Sequence, residues 1–378
     1  MIFRKILCAG MVLALFACNG NKKSEPVLLD KAAFDTEVDG KPVSLYTLDS
    51  GNGLKVQVTN YGLRVVSIWT ADKDGNYADV AVGYESIARY LDNKGERFMG
   101  PVVGRYANRI AKGQFQLDGV TYNLPINNNG QTLHGGLKGF DMVAWDVKEA
   151  NDKSVHFSYV SVDEEEGFPG TVNVDVIYSV TPDNGFKIAY KATTDKPTVI
   201  NLSNHAFFNL KGDGGGTITD NILTINASAT TPVDSVLIPS GEITSVEGTP
   251  FDFRTPTAIG ARINIDDAQL KNGLGYDHNW VLDRKTDNEV ELAVTLYEPG
   301  SGRVMEVYTD QPGLQFYSGN FFDGSATSKY GKAIGFREAL ALETQKFPDS
   351  PHHPNFPSTR LNPGETYTHT CIYKFSSK

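Results

Sequence analysis

The strongest constraint on this chain is a side-chain period of two. Leu54-Lys55-Val56-Gln57-Val58 alternates apolar and polar residues, and Val155 to Val160, Val172 to Val176 and Glu291 to Leu296 do so with local slips. Successive side chains of a strand point to opposite faces, so the pattern predicts strands with one buried face. Turn signals separate the runs. Gln114 to Leu117 and Val120 to Tyr122 flank Asp118-Gly119, a pair suited to a two-residue type I′ hairpin. Asp183-Asn184-Gly185 lies between Val176 to Val180 and Phe186 to Tyr190. Gly300-Ser301-Gly302 separates Val294 to Tyr297 from Val304 to Tyr308.

Helical signals are few and short, the best being Ser86 to Leu91 and Asp266 to Leu270. No repeat of roughly 20 to 50 residues is evident, which argues against a propeller or solenoid. With 378 residues, 40% of them hydrophobic, the chain can bury a large core. The expected fold is all-β, one large antiparallel β-sandwich whose strands are joined by long loops. Such loops are where binding and catalytic groups usually sit.

The N-terminus carries a different signal. Arg4 and Lys5 precede an apolar stretch from Ile6 to Ala17. That is short of the ~20 residues a spanning helix needs, and it fits a secretory signal. The stretch ends in Leu15-Phe16-Ala17-Cys18, which resembles a bacterial lipobox, with Phe16 bulkier than usual there. In such signals the cysteine is acylated and becomes the new N-terminus. The expected organisation is a signal peptide over 1–18, a polar tether over 19–30 and a single domain over 31–378. An ordinary cleaved secretory signal is the alternative. The first reading implies an exported protein, a periplasmic or outer-membrane-associated lipoprotein that meets the membrane only through its lipid.

Charge and cysteine content agree. Net charge is −10, and removing Arg4 and Lys5 makes the chain more acidic still. Such a chain should repel nucleic-acid phosphates, and no Lys/Arg-rich run appears. Cys8 would leave with the signal and Cys18 would carry lipid. Cys371 then lacks a partner, so no intrachain disulfide is expected. Its strand-like setting suggests a buried small apolar residue.

Four segments put polar groups among apolar ones. Gly104-Arg105-Tyr106-Ala107-Asn108-Arg109-Ile110 could form a hydrogen-bonding wall for hydroxyls, or a solvated loop with ion pairs. His134 precedes Gly135 and Gly136, where the backbone can turn sharply and let a ligand approach, although a lone histidine is more often structural. Asn201 to Leu210 embeds two more asparagines, Ser203 and His205 in what reads as a buried strand, which implies a polar network or a ligand. Glu343 follows Ala339-Leu340-Ala341-Leu342, suggesting a carboxylate at the end of a buried strand. Burial raises a carboxylate's pKa and makes it a better base near neutrality. Two histidines, one glutamate and several donors suit the opening of a cyclic hemiacetal. A base takes the proton from the anomeric hydroxyl, and an acid protonates the ring oxygen. No metal, nucleotide or covalent intermediate is required.

These segments, in order, resemble the aldose 1-epimerase family. The series runs Gly104 to Ile110, Leu133-His134-Gly135-Gly136, Asn204-His205 with Phe208-Asn209-Leu210, Gly275-Tyr276-Asp277-His278, Gln315 to Asn320, and Leu342-Glu343-Thr344-Gln345. The resemblance covers roughly Phe34 to Phe375. It implies a galactose mutarotase-like supersandwich, free aldoses such as galactose and glucose as substrates, and no cofactor. By resemblance, Glu343 is the base on O1, His205 the acid on the ring oxygen, and His134 a second active-site histidine. Asn108, Arg109, Asp277 and Gln315 are sugar-hydroxyl binders, and His278 is structural. The family often has Thr and Tyr where this chain has Ser203 and Phe207. A monomer or weak dimer is expected. The tail Pro348 to Pro357 also resembles the family's, without an assigned chemistry.

Three other readings compete. A non-catalytic sugar-binding protein would use the same donors without needing both Glu343 and His205. A glycoside hydrolase would need paired carboxylates, for which Asp277 and Glu343 could be mistaken. A zinc site could use His134, His205 and a carboxylate, but no short-spaced motif such as His-Glu-x-x-His supports it.

Overall fold

The computed structural model describes residues 24–92 and 94–378. The signal segment, Cys18 and the first part of the tether lie outside the described residues. Residues 24–30 have no regular structure, yet parts of them are held by the body. Ser24 and Tyr77 exchange two hydrogen bonds, as do Leu29 and Gln57.

The alternating runs form the strands they predict. Val172–Val180 and Gly185–Thr194 pair antiparallel across the Asp183-Asn184 turn, and Glu291–Tyr297 pairs with Arg303–Thr309. Gln114–Leu117 and Val120–Asn123 close as a hairpin, with φ of 52° at Asp118 and 78° at Gly119, the positive values a type I′ turn demands. The two short α-helices are Ile87–Leu91 and Ala268–Gly273. The second starts later than Asp266 because the Asp267 carboxylate accepts from the backbone N–H groups of Gln269 and Leu270, capping the helix there.

Three antiparallel sheets carry the architecture. The nine-stranded sheet runs, edge to edge, through Asp146–Ala150, Ser154–Ser161, Val172–Val180, Gly185–Thr194, Tyr367–Ser377, Arg303–Thr309, Glu291–Tyr297, Ile222–Ile225 and Thr257–Ala258. The seven-stranded sheet runs through Thr244–Ser245, Ala227–Thr231, Asp277–Leu282, Gly313–Tyr317, Leu340–Gln345, Phe207–Phe208 and Ala81–Val82. A four-stranded sheet comprises Leu45–Asp49, Lys55–Thr59, Val65–Ala71 and Tyr77–Asp79. The main core joins them. Trp280, Leu314, Phe316, Leu340 and Leu342 of the seven-stranded sheet share one buried cluster with Ile188, Leu296, Met305, Val307, Tyr373 and Phe375 of the nine-stranded sheet. The hydroxyl of Tyr373 reaches across to the Leu342 carbonyl at 3.0 Å. Cys371 is buried in the same cluster as a free thiol.

One element departs from expectation. Asn201 to Leu210 is not a single strand. Ser203–Asn204 pairs with Val102–Val103, whereas Phe207–Phe208 belongs to the seven-stranded sheet. Between them the Asn204 side-chain oxygen accepts from the Ala206 N–H at 3.0 Å, a local turn that competes with strand continuation. His205 sits on the resulting corner.

A buried ion cluster ties the loop after Tyr317 to the four-stranded sheet. Lys329 Nζ lies 2.9 Å from Asp79 Oδ2 and donates to the carbonyls of Val66 and Ala81 at 2.6 Å each. The Asp79 carboxylate also accepts from Tyr330 Oη and from the N–H groups of Ile68 and Ala81. Replacing the lysine alone leaves a buried carboxylate without its cation. Lys329→Met should therefore cost about 3–5 kcal/mol in chemical denaturation, whereas exchange of an exposed lysine such as Lys31 should change stability by less than about 0.5 kcal/mol.

Candidate active site

The register of the seven-stranded sheet gathers polar residues on the face away from the core. Gln315 lies opposite both Asn279 and Glu343, and Tyr317 lies opposite both Asp277 and Ala341. Along Leu340–Gln345 the alternation sends Leu342 to the core and Glu343 to the other face. Glu343 stands inside this strand rather than at its end. His205 arrives from the adjacent corner, and its Nε2 lies 3.5 Å from Glu343 Oε1.

His134 comes from a loop of left-handed backbone, with φ of 50°, 92° and 107° at His134, Gly135 and Gly136. The close approach at Gly135 is made by the protein itself rather than by a ligand. A Cβ there would lie 1.9 Å from the Gly104 carbonyl oxygen. The loop is clamped from behind. Arg97 donates to the Gly136 carbonyl and forms a two-point ion pair with the buried Asp141. The His134 ring stands edge-on to His205 with centroids 5.1 Å apart, and Phe98 packs against both. His134 Nδ1 accepts from the Asn108 N–H at 3.1 Å, so the neutral ring carries its proton on Nε2.

A cavity of about 310 Å³ opens over these groups. Asn108, Arg109, His134, His205, Asp277 and Glu343 all line it. Gln315 stands behind Asp277 instead, donating from Nε2 to Asp277 Oδ1 at 2.7 Å. The wall expected from Gly104 to Ile110 is only half realised. Arg105 turns away to hold the carbonyls of residues 161, 162 and 168–170, and Tyr106 Oη accepts from the Ser350 N–H while donating to the Phe347 carbonyl. Sequence reasoning missed Glu96, Phe98, Asn128, Asn129, Leu133, Leu237, Tyr317 and Phe321 as lining residues. Most come from irregular loops and carry no periodic signal. Leu133 and Tyr317 lay within quoted motifs. His278 is buried with Nδ1 accepting from the Asp277 N–H, and burial pulls its pKa down to about 3.

Desolvation sets the electrostatics. It pushes Glu343 well above the usual carboxylate range, the Asp277 charge adds to this, and Arg109 opposes it. Burial pulls His205 down to about 4 and holds His134 well below the usual histidine range. Asp277 is raised by burial, against the pull of Arg109 and the Gln315 hydrogen bond. Several buried polar atoms have no protein partner: Glu343 Oε2, His205 Nδ1, Arg109 Nε and Gln315 Oε1. Those of Glu343, His205 and Arg109 belong to residues that line the cavity and together offer both donors and acceptors, a set suited to a hydroxyl-bearing ligand. Ligand atoms of His134, His205 and Glu343 also lie within 4.8 Å of one another, close enough for a divalent ion. A larger groove of about 710 Å³ is lined by Arg284, Lys346 and Arg360 but has no comparable acid–base pair. Its cations are already engaged with carbonyls or with Asp118.

Comparison with known proteins gives this geometry its context. The family model described as aldose 1-epimerase matches residues 44–374. Galactose mutarotase of Bos taurus is 43% identical over 352 residues, covering 93% of this chain and 99% of its own length. Aldose 1-epimerase of Escherichia coli is 38% identical over 339 residues, covering 89% and 96% respectively. The crystal structure of an aldose epimerase homologue from C. elegans superposes with a TM-score of 0.82 at 30% identity, covering 89% of this chain and 99% of that one. With a glutamate and a histidine meeting at the floor of a polar cavity, and relatives matched over nearly their whole length, the chain belongs to the aldose 1-epimerase family and interconverts the anomers of aldoses.

Proposed function

We propose that Glu343 and His205 are the acid–base pair of this interconversion. The carrying observation is the 3.5 Å approach of their reactive atoms beneath a cavity of unpaired polar groups. Glu343 takes the proton from O1 of the sugar as the C1–O1 bond becomes a carbonyl. The C1–O5 bond breaks, and protonated His205 gives its proton to O5. The open aldehyde turns about C1–C2. His205 then recovers the O5 proton while O5 attacks the other face of C1, and Glu343 returns its proton to O1. Asn108, Arg109 and Asp277 hold hydroxyls, Gln315 steadies Asp277, and His134 donates from Nε2 to the sugar.

The pair works with one proton between its two members. Burial alone favours the uncharged arrangement, with the proton on Glu343. Arg109 pulls the other way, and a hydroxyl donating to Glu343 Oε2 would do the same, which favours the ionised form that starts the reaction. Activity should rise as pH passes the histidine's depressed value, near 4, because only one proton then remains. It should fall again when that last proton leaves, well above the usual carboxylate range. The kcat/KM profile is therefore expected to be bell-shaped. Polarimetry on freshly dissolved α-D-galactose and α-D-glucose should show kcat lowered ~10²- to 10⁴-fold by Glu343→Gln and by His205→Asn. Folded variants that keep wild-type rates would remove these roles.

A zinc-dependent reading is favoured by one observation, the compact His134–His205–Glu343 donor set. The acid–base reading expects full mutarotase activity after exhaustive EDTA treatment and dialysis. Loss of activity restored by zinc alone would support the metal instead.

We further propose that the domain over 31–378 is exported and held through the 19–30 tether by an acylated Cys18, as a monomer or weak dimer. Support comes from Arg4, Lys5, the apolar Ile6 to Ala17 run and the Leu15 to Cys18 motif. Among the described residues no helix is long and apolar enough to cross a membrane. In that setting the enzyme would equilibrate anomers released outside the cytoplasm by glycan breakdown. Mass spectrometry of the mature protein should find acyl chains on an N-terminal Cys18, and Cys18→Ala should move the protein from the membrane to the soluble fraction. An unacylated mature terminus would exclude the anchor.

A further inference from the structure

Glu96 is a carboxylate on the cavity wall to which the sequence reading gave no role. It is firmly mounted. Its backbone N–H donates to Tyr84 Oη at 3.0 Å, and its Oε1 accepts from the Phe98 N–H at 2.8 Å. Phe98 in turn packs on His134 and His205, so the mount is shared with the catalytic histidines. Burial raises the pKa of Glu96, while the Phe98 N–H and the guanidinium groups of Arg64 and Arg97 favour the ionised form. Among the described residues no lysine, arginine or histidine nitrogen lies within 4.0 Å of its carboxylate. The nearby Arg97 and Arg64 are committed to Asp141 and to backbone carbonyls behind the wall.

We infer that Glu96 is a specificity-determining contact that makes this cavity select neutral and cationic aldoses over aldoses bearing a carboxylate. The inference rests on the aldose 1-epimerase reading of the cavity. A preorganised acceptor with one oxygen free matches a sugar hydroxyl or an ammonium group, and it repels an anion. The cavity's charge balance points the same way. The carboxylates of Glu96 and Asp277 face it against the single guanidinium of Arg109, the Glu343–His205 pair with its one proton carries no net charge, and burial keeps His134 neutral. At an effective dielectric of about 20, two unit charges about 8 Å apart change affinity roughly thirtyfold.

The test compares galactose, galacturonate and galactosamine at pH 7, using KM from polarimetry and Kd from calorimetry, for wild type and Glu96→Gln. The glutamine keeps an acceptor for the Phe98 N–H. Circular dichroism and thermal unfolding verify that the variant folds, and each constant is read as a ratio to that for galactose. The expected result is a tenfold or larger gain for galacturonate relative to galactose, and a loss for galactosamine. Equal factors for all three sugars, or no change, would overturn the inference. A wild type that fails to accelerate any of the three would count against the mutarotase reading instead, and the binding ratios would still decide the role of Glu96.

Discussion

The strand Leu340–Gln345 has to satisfy two environments at once. Leu340 and Leu342 fill the core between the two large sheets, and the pleat then leaves Glu343 no choice but the opposite face. The same parity acts on Gly313–Tyr317 and Asp277–Leu282, whose Phe316 and Trp280 point inward while Gln315 and Asp277 point out. A slip of one residue between these strands would bury the polar set and expose the core set. The energy of the sandwich core therefore pins the register of the site, and the site needs no separate scaffold.

This coupling explains how much of the molecule could be read in advance. Alternation and turn residues are local, so the Val172–Val180 and Gly185–Thr194 pair, the Asp118-Gly119 hairpin and the all-β class were legible. Glu343 was legible too, because a carboxylate after four apolar residues violates the expected pattern. The corner at His205 was not. It depends on Asn204 bonding to its own backbone, in a segment whose composition looks like an ordinary buried strand. Nor did composition reveal that Arg105 and Arg109, four residues apart, face opposite directions. Phe98, Leu237 and Phe321 come from loops distant in sequence, and their meeting is a property of the tertiary fold alone.

The cavity draws its chemistry from dehydration rather than from unusual groups. Taking Glu343 and His205 out of water moves their proton affinities toward each other's ordinary ground, the acid upward and the base downward. The ordinary order of the two is thereby reversed, so the uncharged pair becomes accessible in the dry cavity. Arg109 tempers the effect without bonding directly to the carboxylate, leaving its guanidinium free for substrate oxygens. The cost is carried by the surrounding sheets, which hold several unpaired polar atoms in place.

The seat of His134 is built from backbone against backbone: Gly135 lies against the Gly104 carbonyl, and the Asn108 amide fixes the ring nitrogen. Main-chain contacts do not change when neighbouring side chains are exchanged. The backbone position of His134 is thus insulated from much of the variation in the cavity's lining. Lining residues such as Asn128 and Leu237 can be exchanged for a different sugar while His134 keeps its address. Catalysis and recognition, though they share one small hollow, are free to evolve on separate schedules.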